Sequence, residues 1–158
     1  MSRIKGILQQ GPSDCGCACI ATILEYYGKS VSLRKIYEAA GTDKVGTSGL
    51  GIVKAAEEFG LSCTGVMAND KSKIETFHFP AIFHLNLGNR EHYVVPYKIK
   101  KGVVYYSDPA KGLTSESKED FIKKWTGIVF LLYPTSNFEK GSESKGMFSR
   151  FLVLLKPY

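Results

Sequence analysis

Gln9-Gln10-Gly11-Pro12-Ser13-Asp14-Cys15-Gly16-Cys17-Ala18-Cys19-Ile20 opens the first regular element of the chain and sets how the rest is read. Pro12, Ser13 and Asp14 predict a helix start, with Ser13 or Asp14 as the N-cap. Ile20, Ile23, Leu24 and Tyr27 then recur at helical spacing, and Gly28 closes the helix. Cys15 falls in the first turn, where free backbone N–H groups and the positive end of the helix dipole favour a thiolate. Several unrelated hydrolases build a nucleophile in this way.

Downstream, a second helix is expected from about Ser32, carrying Leu33, Ile36, Tyr37 and Ala40 and ending at Gly41. Asp43 to Gly51 reads as a polar, glycine-rich loop. A third helix follows with Ile52, Val53, Ala56 and Phe59 on one side, stopped by Gly60. From Leu61 the period shifts toward two. Strands are predicted over Leu61 to Met67, from Pro80 through Leu87, and in a hairpin of His92 to Ile99 and Val103 to Ser107 around Lys100-Lys101-Gly102. Asn69 to Thr76 is a polar helical turn or loop. Ser117-Lys118-Glu119-Asp120 has the form of a capping box, with Asp in place of Glu, ahead of a short helix with Phe121 and Trp125. Thr126 to Tyr133 is a continuously apolar strand, expected to be buried. Helices first and antiparallel strands afterwards give an α+β fold in two lobes.

The chain has 158 residues, 44% of them hydrophobic, enough for one globular domain with its own core. Asn137 to Gly146 has the composition of a linker. Met147 to Leu155 turns apolar again but is too short to cross a bilayer, which takes about 20 residues. The formal net charge of +6 is spread along the chain. No basic stripe with interleaved aromatic residues is visible, which argues against a nucleic-acid partner. Cys15, Cys17 and Cys19 crowd one helix, where geometry keeps them from pairing with each other, and Cys63 could bridge at most one. Free thiols in a reducing cytoplasm fit better. A metal site would need more ligands at suitable spacing, and the three histidines lie far off in sequence. A thiol redox or metal protein is therefore the weakest reading.

A cysteine nucleophile needs a base, and the base an orienting partner. His78 lies in Phe77-His78-Phe79-Pro80 and reads as a surface or half-buried loop residue, while His84 sits inside a strand and suits a core role. His92 differs. A hairpin turning at residues 99–102 pairs residues whose numbers sum to about 201, so Asp108 stands nearly opposite His92. A carboxylate there fixes the ring tautomer and stabilises the imidazolium. Acyl transfer also wants donors where the carbonyl oxygen gains charge. The backbone N–H of Cys15 is one, and Gln9 or Gln10 could supply the other.

Gln9-x4-Asp14-Cys15-Gly16-x-Ala18-Cys19, then His92-Tyr93-Val94-Val95, then Asp108-Pro109, strongly resembles the bacteriocin-processing, double-glycine leader peptidase domain at the N-terminus of peptidase-containing ABC exporters. The resemblance runs from about Gln9 to Tyr133. It implies a papain-like cysteine peptidase fold, a helical N-terminal lobe and an antiparallel sheet lobe with the active site between them. It assigns Cys15 as nucleophile, His92 as general base and acid, Asp108 as the orienting acid and Gln9 as the oxyanion donor; Gln10 falls one position off the pattern.

The implied reaction is hydrolysis after a Gly-Gly or Gly-Ala pair ending the leader of a precursor peptide. The resemblance also implies that the leader docks as an amphipathic helix in a shallow apolar groove, for which Tyr37, Leu50 and Phe59 are candidates. It divides the chain into a peptidase domain over 1–136, and a linker with the start of a transporter membrane domain over 137–158. No cofactor is implied here, ATP belonging to the full-length transporter. The implied partners are the precursor peptide and the membrane and nucleotide-binding domains of the same chain. The implied location is the cytoplasmic side of a bacterial membrane, and the intact exporter would be a dimer. A degenerate, non-cleaving leader-binding module is the alternative. The intact Cys15, His92 and Asp108 argue against it.

Overall fold

A computed structural model describes residues 3–43 and 46–142. The apolar stretch beyond Met147 lies outside the described residues. Helix α1, Cys15–Tyr26, is followed by α2, Leu33–Ala40, and α3, Gly49–Glu58. Ser32 and Ser48 cap α2 and α3 by accepting from the N–H groups of Lys35 and Gly51. Gly41 ends α2 in the left-handed conformation, with φ of 63°. The helix after the glycine-rich loop thus begins three residues earlier than its apolar pattern announces, because Ser48 supplies the cap.

An antiparallel sheet receives these helices. Its strands are β2 (Leu61–Met67), β3 (Ile82–Asn86), β4 (Glu91–Lys100), β5 (Val103–Asp108), β6 (Gly112–Ser117) and β7 (Trp125–Pro134). They lie in the order β2-β7-β3-β4-β5-β6. The expected β2 bounds and the β4–β5 hairpin are present. The strand β6 was not anticipated. The short helix α4, Lys118–Lys124, starts where Ser117 accepts from the N–H of Asp120, and Lys71–Thr76 forms a 3-10 segment.

Strand β7 is internal, pairing with β2 on one side and β3 on the other. Its residues alternate between two cores, so the run that reads as uniformly apolar is covered on both faces. Phe130 and Leu132 join Ile82 and Val95 against Ile20, Ile23, Leu24, Ile36 and Ile52 of the helices. Val129 joins Phe83, Val94, Val104 and Tyr106 beneath Ile74, Phe121 and Trp125. Each such side chain contributes about 1.5–3 kcal/mol when fully buried. Helix α1 lies on β4, which places the start of that helix beside the end of the sheet where β4 begins.

After β7 the chain turns back. Thr135 donates its N–H and its hydroxyl to the Gly60 carbonyl, at 2.9 and 2.8 Å. Phe138 packs on Gly60, whose φ of 92° and missing Cβ permit the approach. Gly141–Ser142 (β8) then pairs in parallel with Lys29–Ser30 (β1), just past the end of α1. The first part of the stretch with linker composition is therefore bound to the helical lobe. No helix among the described residues is long and apolar enough to cross a membrane.

Candidate active site

Cys15 occupies the first position of α1, as its sequence context predicts, and is half-buried, within reach of solvent. Gly16 follows in a tight place: a Cβ there would stand 3.0 Å from Cβ of Thr47, which packs over the first turn and would have to give way. Thr47 and Thr42 share a 2.7 Å hydrogen bond, and both lie against the Cys17 sulfur, so the loop after α2 is locked to the helix that carries the thiol.

His92 and Asp108 meet at 2.7 Å, His92 Nε2–H donating to Asp108 Oδ1, with only 2% of His92 and 5% of Asp108 exposed. The pairing differs in register from expectation. Val95 faces Ser107, so Asp108 stands across from Val94 and reaches His92 diagonally. The turn itself sets the offset, since Lys100 pairs with Val103 around Lys101-Gly102, and a bulge between Pro96 and Lys98 that adds one residue to β4 takes back one position of it. The slip amounts to two positions, which preserves the strand face and keeps the two side chains together. Asp108 is also aimed by its own turn: Oδ1 accepts from the Ala110 N–H at 2.8 Å.

Because an ionised carboxylate only accepts, Nε2 must carry a proton, which leaves Nδ1 for the hydrogen bond with Cys15. Burial pushes the Cys15 thiol up, but the hydrogen bond and charge of His92 and the backbone N–H groups of Tyr93 and Gly16 outweigh it, so the thiol lies below its ordinary value. Burial pulls His92 down, and is outweighed by its bonds to Asp108 and Cys15 and by their charges; its pKa is raised to about 9. Asp108, pushed up by burial, ends lowered through His92, the Ala110 N–H and the Lys111 charge. A thiolate–imidazolium pair is the state these shifts favour. The other three thiols go the opposite way. Burial raises Cys17 and Cys19, and raises Cys63 to about 12.

The sign of the pH response follows. Cleavage should rise as Cys15 ionises, at a pH below the ordinary thiol value, and fall as His92 loses its proton near pH 9. His92 also stabilises the fold through its raised pKa: that contribution is complete below about 6.5 and is lost as pH climbs through about 9. A pH–rate profile of kcat/KM that shows no alkaline limb between 8 and 10 contradicts the assignment.

Gln9 is fastened by hydrogen bonds on two sides, none of them to Cys15 or His92. Its N–H donates to the Pro109 carbonyl at 2.9 Å, next to Asp108, and its Nε2 donates to the Gly11 carbonyl at 2.7 Å. Its Oε1 is buried and has no hydrogen-bond partner. Gln10 is exposed. The other histidines stand apart from the thiol. His84 Nδ1 donates to Thr126 Oγ1 at 2.9 Å and its Nε2 lies 3.6 Å from Glu91, while His78 stacks on Tyr133 with centroids 4.9 Å apart. All four cysteines are free thiols, and no cluster of three or more His, Cys, Asp or Glu side chains suited to a metal exists among the described residues.

A cysteine at a helix start, facing an Asp-bonded histidine held by an antiparallel sheet, is the architecture of papain-like cysteine peptidases. Within that class the chain belongs to the Peptidase C39 family, whose model matches residues 3–137. The lactococcin-G-processing and transport ATP-binding protein LagD of Lactococcus lactis is 36% identical over 153 residues, covering 96% of this chain and 22% of that protein. The transport/processing ATP-binding protein ComA of Streptococcus pneumoniae is 33% identical over 148 residues, 90% of this chain and 21% of that protein. The chain thus spans about a fifth of the length of these curated relatives.

Among solved structures, a double glycine motif protease from an AMS/PCAT transporter, in complex with the leader peptide, matches with a TM-score of 0.78 at 32% identity. The match covers 85% of this chain and 94% of that one. The peptidase domain of Streptococcus ComA matches with a TM-score of 0.79, also at 32% identity, over 84% and 100%.

Proposed function

We propose that this chain removes the leader of a precursor peptide by cutting after a Gly-Gly or Gly-Ala pair, with Cys15 as nucleophile, His92 as general base and acid, and Asp108 as the residue that orients His92. The observation that carries the reading is the Cys15–His92–Asp108 chain of hydrogen bonds in a fold that matches 94% of a double glycine motif protease.

The Cys15 thiolate attacks the carbonyl carbon of the second small residue. The oxygen that gains charge is met by the Cys15 N–H and the free N–H of Gln9 Nε2. His92 gives its Nδ1 proton to the departing amine, and the peptide bond breaks to leave a thioester on Cys15. His92 then takes a proton from water, whose hydroxide displaces the sulfur and frees the leader.

A cleft of about 360 Å³ beside Asp14, lined by Leu33, Arg34, Tyr37 and Glu38, is the candidate seat for the leader. Of the expected groove residues, Tyr37 lines this cleft, Leu50 is 65% exposed on α3, and Phe59 is half-buried against the helical core.

By the same reading the domain works beside the membrane and nucleotide-binding domains of an exporter, on the cytoplasmic side. Any ATP is consumed by those domains. Residues 137–158 would lead into the membrane domain. Mass spectrometry of a Gly-Gly precursor incubated with the protein tests the reaction. One cut, after the second glycine, is expected. Saturable leader binding without a cut would instead identify a docking module.

A further inference from the structure

Asp14 has the residue type and position of a helix cap, yet it caps nothing in α1. With only 7% of its surface exposed, its carboxylate turns back onto the preceding loop. Oδ2 accepts from the Gln10 N–H at 2.9 Å and Oδ1 from the Gly11 N–H at 2.8 Å. Two consequences follow from this orientation. An ordinary capping bond would occupy the N–H of Gly16 or Cys17, the second and third positions of the helix. Turned away, Asp14 leaves the first-turn donors to the Cys15 sulfur, which the Gly16 N–H helps hold as thiolate.

The second consequence concerns what the carboxylate grips. The Gly11 carbonyl is the partner of Gln9 Nε2, and the Gln9 N–H is tied to Pro109 on the far side. The peptide units from Gln9 to Gly11 are therefore pinned between the turn after Asp108 and the carboxylate of Asp14. One N–H of the Gln9 amide is spent on Gly11, and the buried Oε1 has no hydrogen-bond partner, so half of the amide's capacity is unused.

We infer that Asp14 is a positioning residue for the oxyanion hole: by holding the Gln10 and Gly11 N–H groups it fixes the loop backbone that carries Gln9 and presents the Gly11 carbonyl to its amide, and so aims the free amide N–H of Gln9 at the scissile carbonyl oxygen. The inference rests on the proposed role of Gln9 as oxyanion donor.

The test is a double-mutant cycle of Asp14→Ala and Gln9→Ala on cleavage of a Gly-Gly precursor, with the pH profile of Cys15 alkylation by iodoacetamide measured alongside. Asp14→Ala should lower kcat by about 10- to 100-fold with KM and the alkylation profile unchanged, since a displaced donor costs rate without touching the sulfur. Combined with Gln9→Ala it should lower kcat no further than Gln9→Ala alone. Asp14→Asn keeps one acceptor and should lie between wild type and alanine; it carries the cycle if the alanine variant does not fold.

Multiplying losses in the double variant, or a shifted alkylation profile, would overturn the inference, because Asp14 would then act independently of Gln9. Wild-type kcat in both Asp14 variants with a slow Gln9→Ala overturns it while leaving the role of Gln9 intact. Wild-type kcat in Gln9→Ala removes the donor role, and this inference with it.

Discussion

Cys15→Ala should abolish cleavage, by a factor on the order of 10⁵ to 10⁶, with fold and leader binding retained. The loss is that large because no other thiol can substitute. Cys17 and Cys19 are buried, Cys63 is raised to about 12, and only Cys15 is held below its ordinary value. The fold survives because alanine is the better helix former, and His92 keeps its bond to Asp108 when the sulfur is gone. Mass spectrometry of the products, with circular dichroism of the variant, checks both halves. Wild-type turnover by the alanine variant would end the assignment of Cys15.

Asp108→Ala is expected to lower kcat by about 10⁴-fold, the scale seen when the orienting acid of such a system is disabled. The bond of 2.7 Å to Nε2 is what selects the tautomer that leaves Nδ1 facing the sulfur. Without it the ring can present either nitrogen, and the imidazolium loses the charge that raises it to about 9. Two readouts should therefore move together. kcat falls, and the alkaline limb of the cleavage profile shifts down toward the ordinary histidine value near 6.5. His84→Ala is the control: its ring bonds Thr126, so it should lower Tm and leave kcat within about threefold. Equal kinetic losses from the two substitutions would leave the base unassigned.

Much of the site was legible because the decisive signals are local. A polar turn before an apolar 3.6-residue period announces α1, and Lys100-Lys101-Gly102 between two alternating runs announces the β4–β5 hairpin. The exact register was not legible. It is set by a two-residue turn at Lys101-Gly102 and by a bulge at Tyr97, next to Pro96, which has no N–H to give to a ladder. An even slip spared the His92–Asp108 contact; an odd one would have put the two side chains on opposite faces.

β6 is illegible in the sequence for another reason. Gly112-Leu113-Thr114-Ser115-Glu116-Ser117 is an edge strand with partly exposed faces, so it lacks apolar alternation and owes its existence to pairing with β5. Asp14 shows a third limit. Its residue type promises a cap, but only the three-dimensional loop decides which N–H groups the carboxylate takes.

The return of residues 135–142 to the helical lobe has a mechanical meaning. Gly141 N–H donates to the Gly28 carbonyl at 2.8 Å, so the chain departs beside the end of α1 opposite the thiol. Twelve helical residues separate the two ends, about 18 Å at 1.5 Å per residue. A pull transmitted through the outgoing chain would load the β1–β8 pair and the Gly60–Phe138 contact first. Such a load would enter at one end of α1, while the sulfur lies at the other.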